Sequence, residues 1–378
     1  MYIERIVDVA GVLQEKSCFL FGPRQCGKSS LIRETLNGAA VFDLLDAETY
    51  LRLSRRASYL GEAADGSVPV VIDEIQKLPG LLDEVHRLIE TRGMRFLLTG
   101  SSARKLRKGG VNLLGGRARF RNLHPFSAAE LGGAFDLGRA LDFGLLPSIW
   151  FSGDPEDDLA GYVKLYLEQE IAQEGATRNL PAFSRFLEVA ALSSGGQINY
   201  QSIATDAQVS RSTVQEYFKI LVDTLLAREV PVWRKGKSRK TVDTAKFYMF
   251  DTGVVRRLQG RRAFAEGTPE FGTAFEHWIL HELSSYADAR RRDAQISYWR
   301  TRTGYEVDFV VDGELAVECK TARNVTGADL KGLRAIADEG AFRRRILVCR
   351  EDRQRTVDGI EILPWQDFVA QLHSGECF

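Results

Sequence analysis

The chain has 378 residues, 51 Lys plus Arg against 51 Asp plus Glu, and 44% hydrophobic residues. Zero net charge argues against a protein that coats nucleic acid nonspecifically, and no apolar run approaches the ~18 residues of a membrane span. Such a length predicts two or three domains, each with its own core.

The N-terminus, MYIERIVDVAGVLQEK, carries charges where a signal peptide has its apolar stretch. A cytoplasmic protein with no membrane partner is expected. Cys18, Cys26, Cys319, Cys349 and Cys377 show neither metal-ligand spacing nor a disulfide pattern. Basic residues cluster at Arg234, Lys235, Lys237, Arg239 and Lys240, and in the triplets Arg290–Arg292 and Arg343–Arg345. Each cluster reads either as a hold on a phosphate backbone or as solvated surface.

The first predicted strand, Ser17–Phe21, runs into Gly-Pro-Arg-Gln-Cys-Gly-Lys-Ser at 22–29, a G-x-x-x-x-G-K-[ST] loop that opens the helix SSLIRETL. Strand, loop and helix in that order form the context of a phosphate-binding P-loop. Gly22, Pro23, Arg24, Gln25, Cys26, Gly27, Lys28, Ser29 and Ser30 are therefore the expected ATP-binding residues. The glycines let backbone N–H groups face the phosphates, and the helix N-terminus adds partial positive charge. Lys28 is expected to reach the β- and γ-phosphates, and Ser29 to ligate Mg2+.

The next strand, PVVIDEIQ, ends in Asp73 and Glu74, which places both carboxylates at the edge of a parallel sheet where α/β ligands sit. Asp73 is expected in the Mg2+ shell and Glu74 beside the attacking water. The strand MRFLLTGSS brings Thr99 and Ser101 to the same edge, as sensors of the γ-phosphate or as turn residues. Arg117, in LLGGRAR, is a candidate arginine finger on a neighbour's nucleotide, with Arg119 second; a surface ion pair is the alternative.

The runs GPRQCGKSSL, VFDLLDAETYLRL, VVIDEIQKLPGLL, FLLTGSSARKL and LLGGRARFRNLHPFSAAEL resemble a family of prokaryotic AAA-type ATPases. In that family the ATPase precedes a conjoined C-terminal domain of poorly defined function that is often nuclease-like. The similarity runs in order through residues 1–132 and continues to the C-terminus.

Residues 133–180 read as mainly helical, with YVKLYLEQEIAQEG an amphipathic helix. Residues 203–221 then read as helix-turn-helix, with Val209-Ser210 as turn and N-cap and Val214, Phe218 and Leu221 facing inward. Arg211, Ser212, Thr213 and Gln215 would face DNA, and RKGKSRK would form a basic wing. Winged helices also serve as packing modules, so the fold alone does not decide between the two.

The last third opens the helix FGTAFEHWIL, on which Glu276 sits beside the apolar face. A hairpin follows, GYEVDFVVDGELAVECK, with Asp312-Gly313 as its turn. Glu318 and Lys320 leave one face of its second strand. Carboxylates and a Lys in this pattern can hold Mg2+, activate water and stabilise phosphorane charge. The pattern resembles the PD-(D/E)xK, restriction-endonuclease-like fold, which implies Glu276, Asp308 and Glu318 as metal ligands, Lys320 as catalytic, and Mg2+ or Mn2+ as cofactor. A tight two-residue turn would set Asp308 opposite Val317, facing away from Glu318, so a shared metal requires a longer loop or a bulge.

The expected fold class is α/β: a P-loop AAA-type domain (1–132), a helical and winged-helix-like segment (133–245), and a restriction-endonuclease-like domain (246–378). The expected function is ATP hydrolysis coupled to Mg2+-dependent DNA processing, as a homo-oligomer or ring. Two alternatives are a DNA branch-migration motor that does not cut, and a nucleotide-dependent switch that recruits a protein partner.

Overall fold

The computed structural model describes residues 2–64, 66, 68–104, 106, 114–167, 179–234 and 239–378. Two compact units emerge, one of Met1–Phe126 with Asp223–Leu226, the other of Ser127–Val222 with Ala227–Phe378.

The first unit is a five-stranded parallel sheet in the order β2-β3-β4-β1-β5. The strands are β1 Ser17–Phe21, β2 Ala40–Asp43, β3 Val70–Asp73, β4 Phe96–Gly100 and β5 Ala118–Asn122. Its helices are α1 Val9–Glu15, α2 Lys28–Thr35, α3 Ala47–Arg55, α4 Tyr59–Ala63 and α5 Leu81–Arg92. β1, SCFLF, is buried along its whole length, as a central parallel strand covered on both faces must be. Phe19 and Phe21 join one core with Ile72, Leu98 and Val85, while Cys18 and Leu20 join the other with Leu31 and Leu97. The order reverses around β1, so the loop after β1 lies at the sheet's switch point, where α/β proteins bind ligands.

The second unit begins with α6 Ala128–Leu131, α7 Leu137–Phe143, α8 Pro147–Trp150 and α9 Pro155–Gly161. Residues 168–175 of the expected amphipathic helix lie outside the described residues. A winged-helix arrangement follows: α10 Leu180–Leu192, β6 Gly196–Gln197, α11 Tyr200–Ala207, α12 Arg211–Asp223, β7 Ala227–Val230 and β8 Lys246–Met249, with sheet order β6-β8-β7. Ser210 Oγ accepts the Thr213 N–H at 3.1 Å, and Val214, Phe218 and Leu221 are buried on the inner face of α12.

Next come α13 Thr252–Leu258 and α14 Pro269–Ala289, whose N-cap Thr268 and N1 proline make a strong helix start. A mixed six-stranded sheet closes the chain, in the order β13-β14-β12-β11-β10-β9. Its strands are β9 Ile296–Arg300, β10 Glu306–Val311, β11 Leu315–Cys319, β12 Arg344–Cys349, β13 Arg355–Val357 and β14 Ile360–Pro364, with helices α15 Lys331–Ile336 and α16 Trp365–Ser374.

The hairpin β10–β11 differs from the expected two-residue turn. Val311 pairs with Leu315, leaving a three-residue loop, and Asp312 and Gly313 both take positive φ, 53° and 75°. One extra residue shifts the ladder by one position and turns every side chain of one strand over. Asp308 therefore falls opposite Glu318, one step beyond the Phe309–Val317 pair. On its other side β10 carries a register shift against β9 between Val307 and Val310, so a bulge also lies at Asp308.

Candidate functional site

In the first unit the P-loop lies between β1 and α2. Gly22 is required by close approach: a Cβ there would fall 2.3 Å from the Leu123 carbonyl oxygen and 2.9 Å from Cys26 Sγ. Gly27 caps α2 with φ 97°, and Gln25 also has positive φ, so the loop is wound to turn N–H groups inward. Lys28 is buried, its ammonium donating to the Gly22 carbonyl at 2.7 Å and the Pro23 carbonyl at 3.0 Å. Pro23 and Cys26 are buried, Arg24 half-buried, and Ser29 and Ser30 exposed at the start of α2.

The ends of β3 and β4 converge. Thr99 Oγ1 donates to Asp73 Oδ1, which also accepts the Glu74 N–H at 3.1 Å. Glu74 is held at φ 58°, ψ 43°, a left-handed conformation that costs a non-glycine residue about 1 kcal/mol or more. Its carboxylate accepts a hydrogen bond from Gln76 Nε2, which lies 3.4 Å from Ser101 Oγ. Gln76 is buried and its Oε1 has no partner. The sequence did not single out Gln76, although it stands in the same Asp-Glu-Ile-Gln run. A loop that only glycine fits and an orphaned buried amide oxygen beside paired carboxylates suit a phosphate–metal ligand.

Arg5 was also missed. Its guanidinium is buried and donates to the carbonyls of Cys26 (2.7 Å), His124 (2.6 Å) and Pro125 (3.4 Å). It thus fastens the back of the P-loop to the segment after β5. Arg117 follows the short turn Leu114–Gly116 and pairs with Glu90 of α5, while Arg119 pairs with Glu15 of α1.

The second unit gathers the C-terminal acids. Asp308 Oδ2 accepts the Cys319 N–H at 2.8 Å, and Glu318 Oε1 accepts from Lys320 at 2.6 Å. Glu318 Oε2 is buried without a partner. Glu276, on α14, accepts from Lys246 at 2.9 Å and from the Tyr248 hydroxyl. Lys246 of β8 is also 2.7 Å from Glu306 and 3.7 Å from Asp308. The sequence reading did not include Lys246; a strand lysine reads as surface charge unless its partners are known. Among the described residues, no group of three or more His, Cys, Asp or Glu side chains could hold a metal ion. With Lys246 standing where Glu276, Glu306 and Asp308 meet, the acids as arranged do not fit a divalent cation.

Burial and the neighbouring Asp308 charge push the Glu276 carboxyl up to about 7, against the pull of Lys246. The same two causes push Glu318 well above the carboxylate range, against Lys320. Burial works against the charge of Lys246, yet the surrounding acids hold its ammonium well above the usual lysine range.

Several described residues of the basic clusters have partners within the fold. Arg239 of the expected wing pairs with Asp338 and Glu339, and Arg234 with Asp243; Lys235 and Lys237 lie outside the described residues. Trp233 N donates to the Tyr298 carbonyl at 2.7 Å, so Val232 and Trp233 run along β9. Arg343 donates to the Cys377 carbonyl, Arg344 pairs with Glu361, and Arg345 donates to the Leu333 and Asp358 carbonyls. Arg290 donates to the His373 carbonyl, and Arg292 lies over the Phe378 ring. Arg211, Ser212 and Gln215 of α12 remain exposed, and Thr213 is half-buried.

The parallel sheet, the P-loop and the Asp73–Glu74 edge define a P-loop nucleotide-binding domain. Residues 14–132 match the AAA domain, residues 135–265 a domain of unknown function (DUF8612), and residues 271–368 another (DUF4143). The N-terminal region is thus an AAA-type domain. An uncharacterized protein of Mycobacterium bovis and one of Mycobacterium tuberculosis are each 28% identical over 301 residues, covering 78% of this chain and 67% of theirs. A solved structure also matches, a signal transduction ATPase with numerous domains and a tetratricopeptide repeat sensor from Pyrococcus horikoshii. It is 12% identical with a TM-score of 0.26; the match covers 77% of this chain and 48% of that one. A TM-score that low does not establish a shared fold. No helix among the described residues is long and apolar enough to cross a membrane.

Proposed function

We propose that the protein binds ATP with Mg2+ and hydrolyses it in the AAA-type domain, using the cycle to act on DNA. The observation that carries this reading is the Thr99–Asp73 contact beside the P-loop, which joins two neighbouring strand ends at the sheet's switch point. Bound Mg2+ would supply neutralisation of phosphate charge. Lys28 would exchange its two loop carbonyls for phosphate oxygens, and Ser29 and Asp73 would hold the metal. Thr99 fixes the Asp73 carboxylate through its hydroxyl. Glu74, steered by Gln76, takes the proton of the attacking water, and Ser101 steadies Gln76. Arg117 reaches a second copy's nucleotide after leaving Glu90, which makes the working form a homo-oligomer.

A finer reading, Mg2+-dependent cleavage of DNA by the C-terminal domain, draws on Asp308 standing opposite Glu318 with Lys320 two residues on. The present arrangement around Lys246 does not fit the metal. DNA contact would fall on Arg211, Ser212 and Gln215 of α12.

Steady-state ATP hydrolysis with and without linear, branched and single-stranded DNA tests the proposal. DNA-stimulated turnover supports it, and accompanying strand cleavage that Glu318→Ala abolishes supports the finer reading. Turnover that no DNA changes favours a switch that recruits a protein partner; stimulation without cleavage favours a motor.

A further inference from the structure

The four acids Glu276, Glu306, Asp308 and Glu318 come from one helix and two strands of the second unit; Arg300 pairs with Glu306 and Lys320 with Glu318, yet the lysine that Glu276, Glu306 and Asp308 share comes from a different sheet. Lys246 lies on β8, the central strand of the winged-helix sheet. It is 4% exposed, its ammonium 2.9 Å from Glu276, 2.7 Å from Glu306 and 3.7 Å from Asp308, with the Tyr298 ring centroid at 5.3 Å. A carboxylate cluster removed from water needs a cation. Here a side chain provides it at the point where two expected metal ligands, Glu276 and Asp308, converge. The third, Glu318, is left with one oxygen on Lys320 and one buried oxygen on nothing.

We propose that Lys246 is a built-in substitute for a divalent cation: while β8 holds it there the C-terminal cluster binds no metal, and removing its ammonium opens a site formed by Glu276, Asp308 and Glu318. The inference rests on the metal-dependent reading of this domain only in naming those three ligands. It makes the winged-helix sheet the part of the fold that controls access to the site.

The test is Mn2+ binding to the nucleotide-free 378-residue chain, followed by electron paramagnetic resonance and by the melting temperature with and without Mn2+. Wild type and Lys246→Arg are expected to show no Glu318-dependent binding and no shift in melting. Lys246→Met is expected to bind Mn2+ at least tenfold more tightly than wild type and to melt higher with Mn2+, both lost in K246M/E318Q. Should Lys246→Met fail to fold, K246M/E306Q keeps the three ligands with one acid fewer and carries the same expectation. Wild type binding Mn2+ through Glu318 as tightly as Lys246→Met would overturn the inference and leave the metal-dependent reading standing. No Mn2+ binding by wild type or any folded Lys246 variant would overturn both.

Discussion

Thr99 donates its hydroxyl hydrogen to Asp73 Oδ1, tying the ends of β3 and β4 together in the nucleotide-binding unit. Removing that donor while keeping shape, by Thr99→Val, leaves one Asp73 oxygen without its side-chain partner. A hydrogen bond to a charged group is worth about 1.5–3 kcal/mol. Turnover should fall by roughly ten- to a hundredfold on that basis, with affinity for a fluorescent ATP analogue little changed. Unchanged turnover would remove Thr99 from the site.

Gly22→Ala should abolish nucleotide binding. The added Cβ would meet the Leu123 carbonyl oxygen at 2.3 Å, a backbone atom that cannot swing aside. Because β1 and the loop would move together, the melting temperature should also fall; a variant that binds the analogue normally would contradict the geometry.

Arg5→Met tests the fastening behind the P-loop. It leaves the Cys26, His124 and Pro125 carbonyls without the guanidinium they share. Unsatisfied buried groups cost about 1–3 kcal/mol each. The expected result is a lowered melting temperature, recovered in part by saturating ATP. Equal melting of variant and wild type, with and without nucleotide, would show that Arg5 fastens nothing.

His277 gives a pH dependence with a definite sign. The ring is buried on α14 beside the Met249 carbonyl, and burial pulls its pKa from the ordinary 6.5 down to about 4. As pH falls from 6.5 towards 4 the unfolded chain takes up a proton that the folded chain refuses, so stability is lost across that window. The contribution is about 3 kcal/mol at most. Chemical denaturation at pH 7 and pH 4.5 should show a smaller loss for His277→Gln than for wild type. Equal losses would mean that His277 is charged in the fold.

How much of this was legible in the sequence follows from which signals are local. The P-loop and the strand ending at Asp73 are contiguous runs, and each appears where the residues indicated. The inward stripe of α12 is likewise a local period, and Val214, Phe218 and Leu221 are buried as expected. Arg5 and Lys246 were invisible because their partners lie about 20 to 120 and 30 to 60 residues away. The hairpin register stayed open in the sequence, between a two-residue turn and a longer loop or bulge, for a narrower reason. Asp312-Gly313 carries the signature of a two-residue turn, and only the pairing of Val311 with Leu315 reveals that Glu314 belongs to the loop. Most arginines of the basic triplets meet carbonyls, an acid or a ring of the C-terminal fold, partners too distant in sequence to be read locally.

The central claim is ATP hydrolysis at the P-loop, and the most direct measurement is single-turnover hydrolysis of ATP with Mg2+ by wild type, Lys28→Ala and Glu74→Gln. The account predicts that wild type hydrolyses ATP, that Lys28→Ala loses nucleotide binding, and that Glu74→Gln binds ATP normally yet hydrolyses it at least a hundredfold more slowly. Hydrolysis by Glu74→Gln at the wild-type rate, or normal ATP binding by Lys28→Ala, would contradict it.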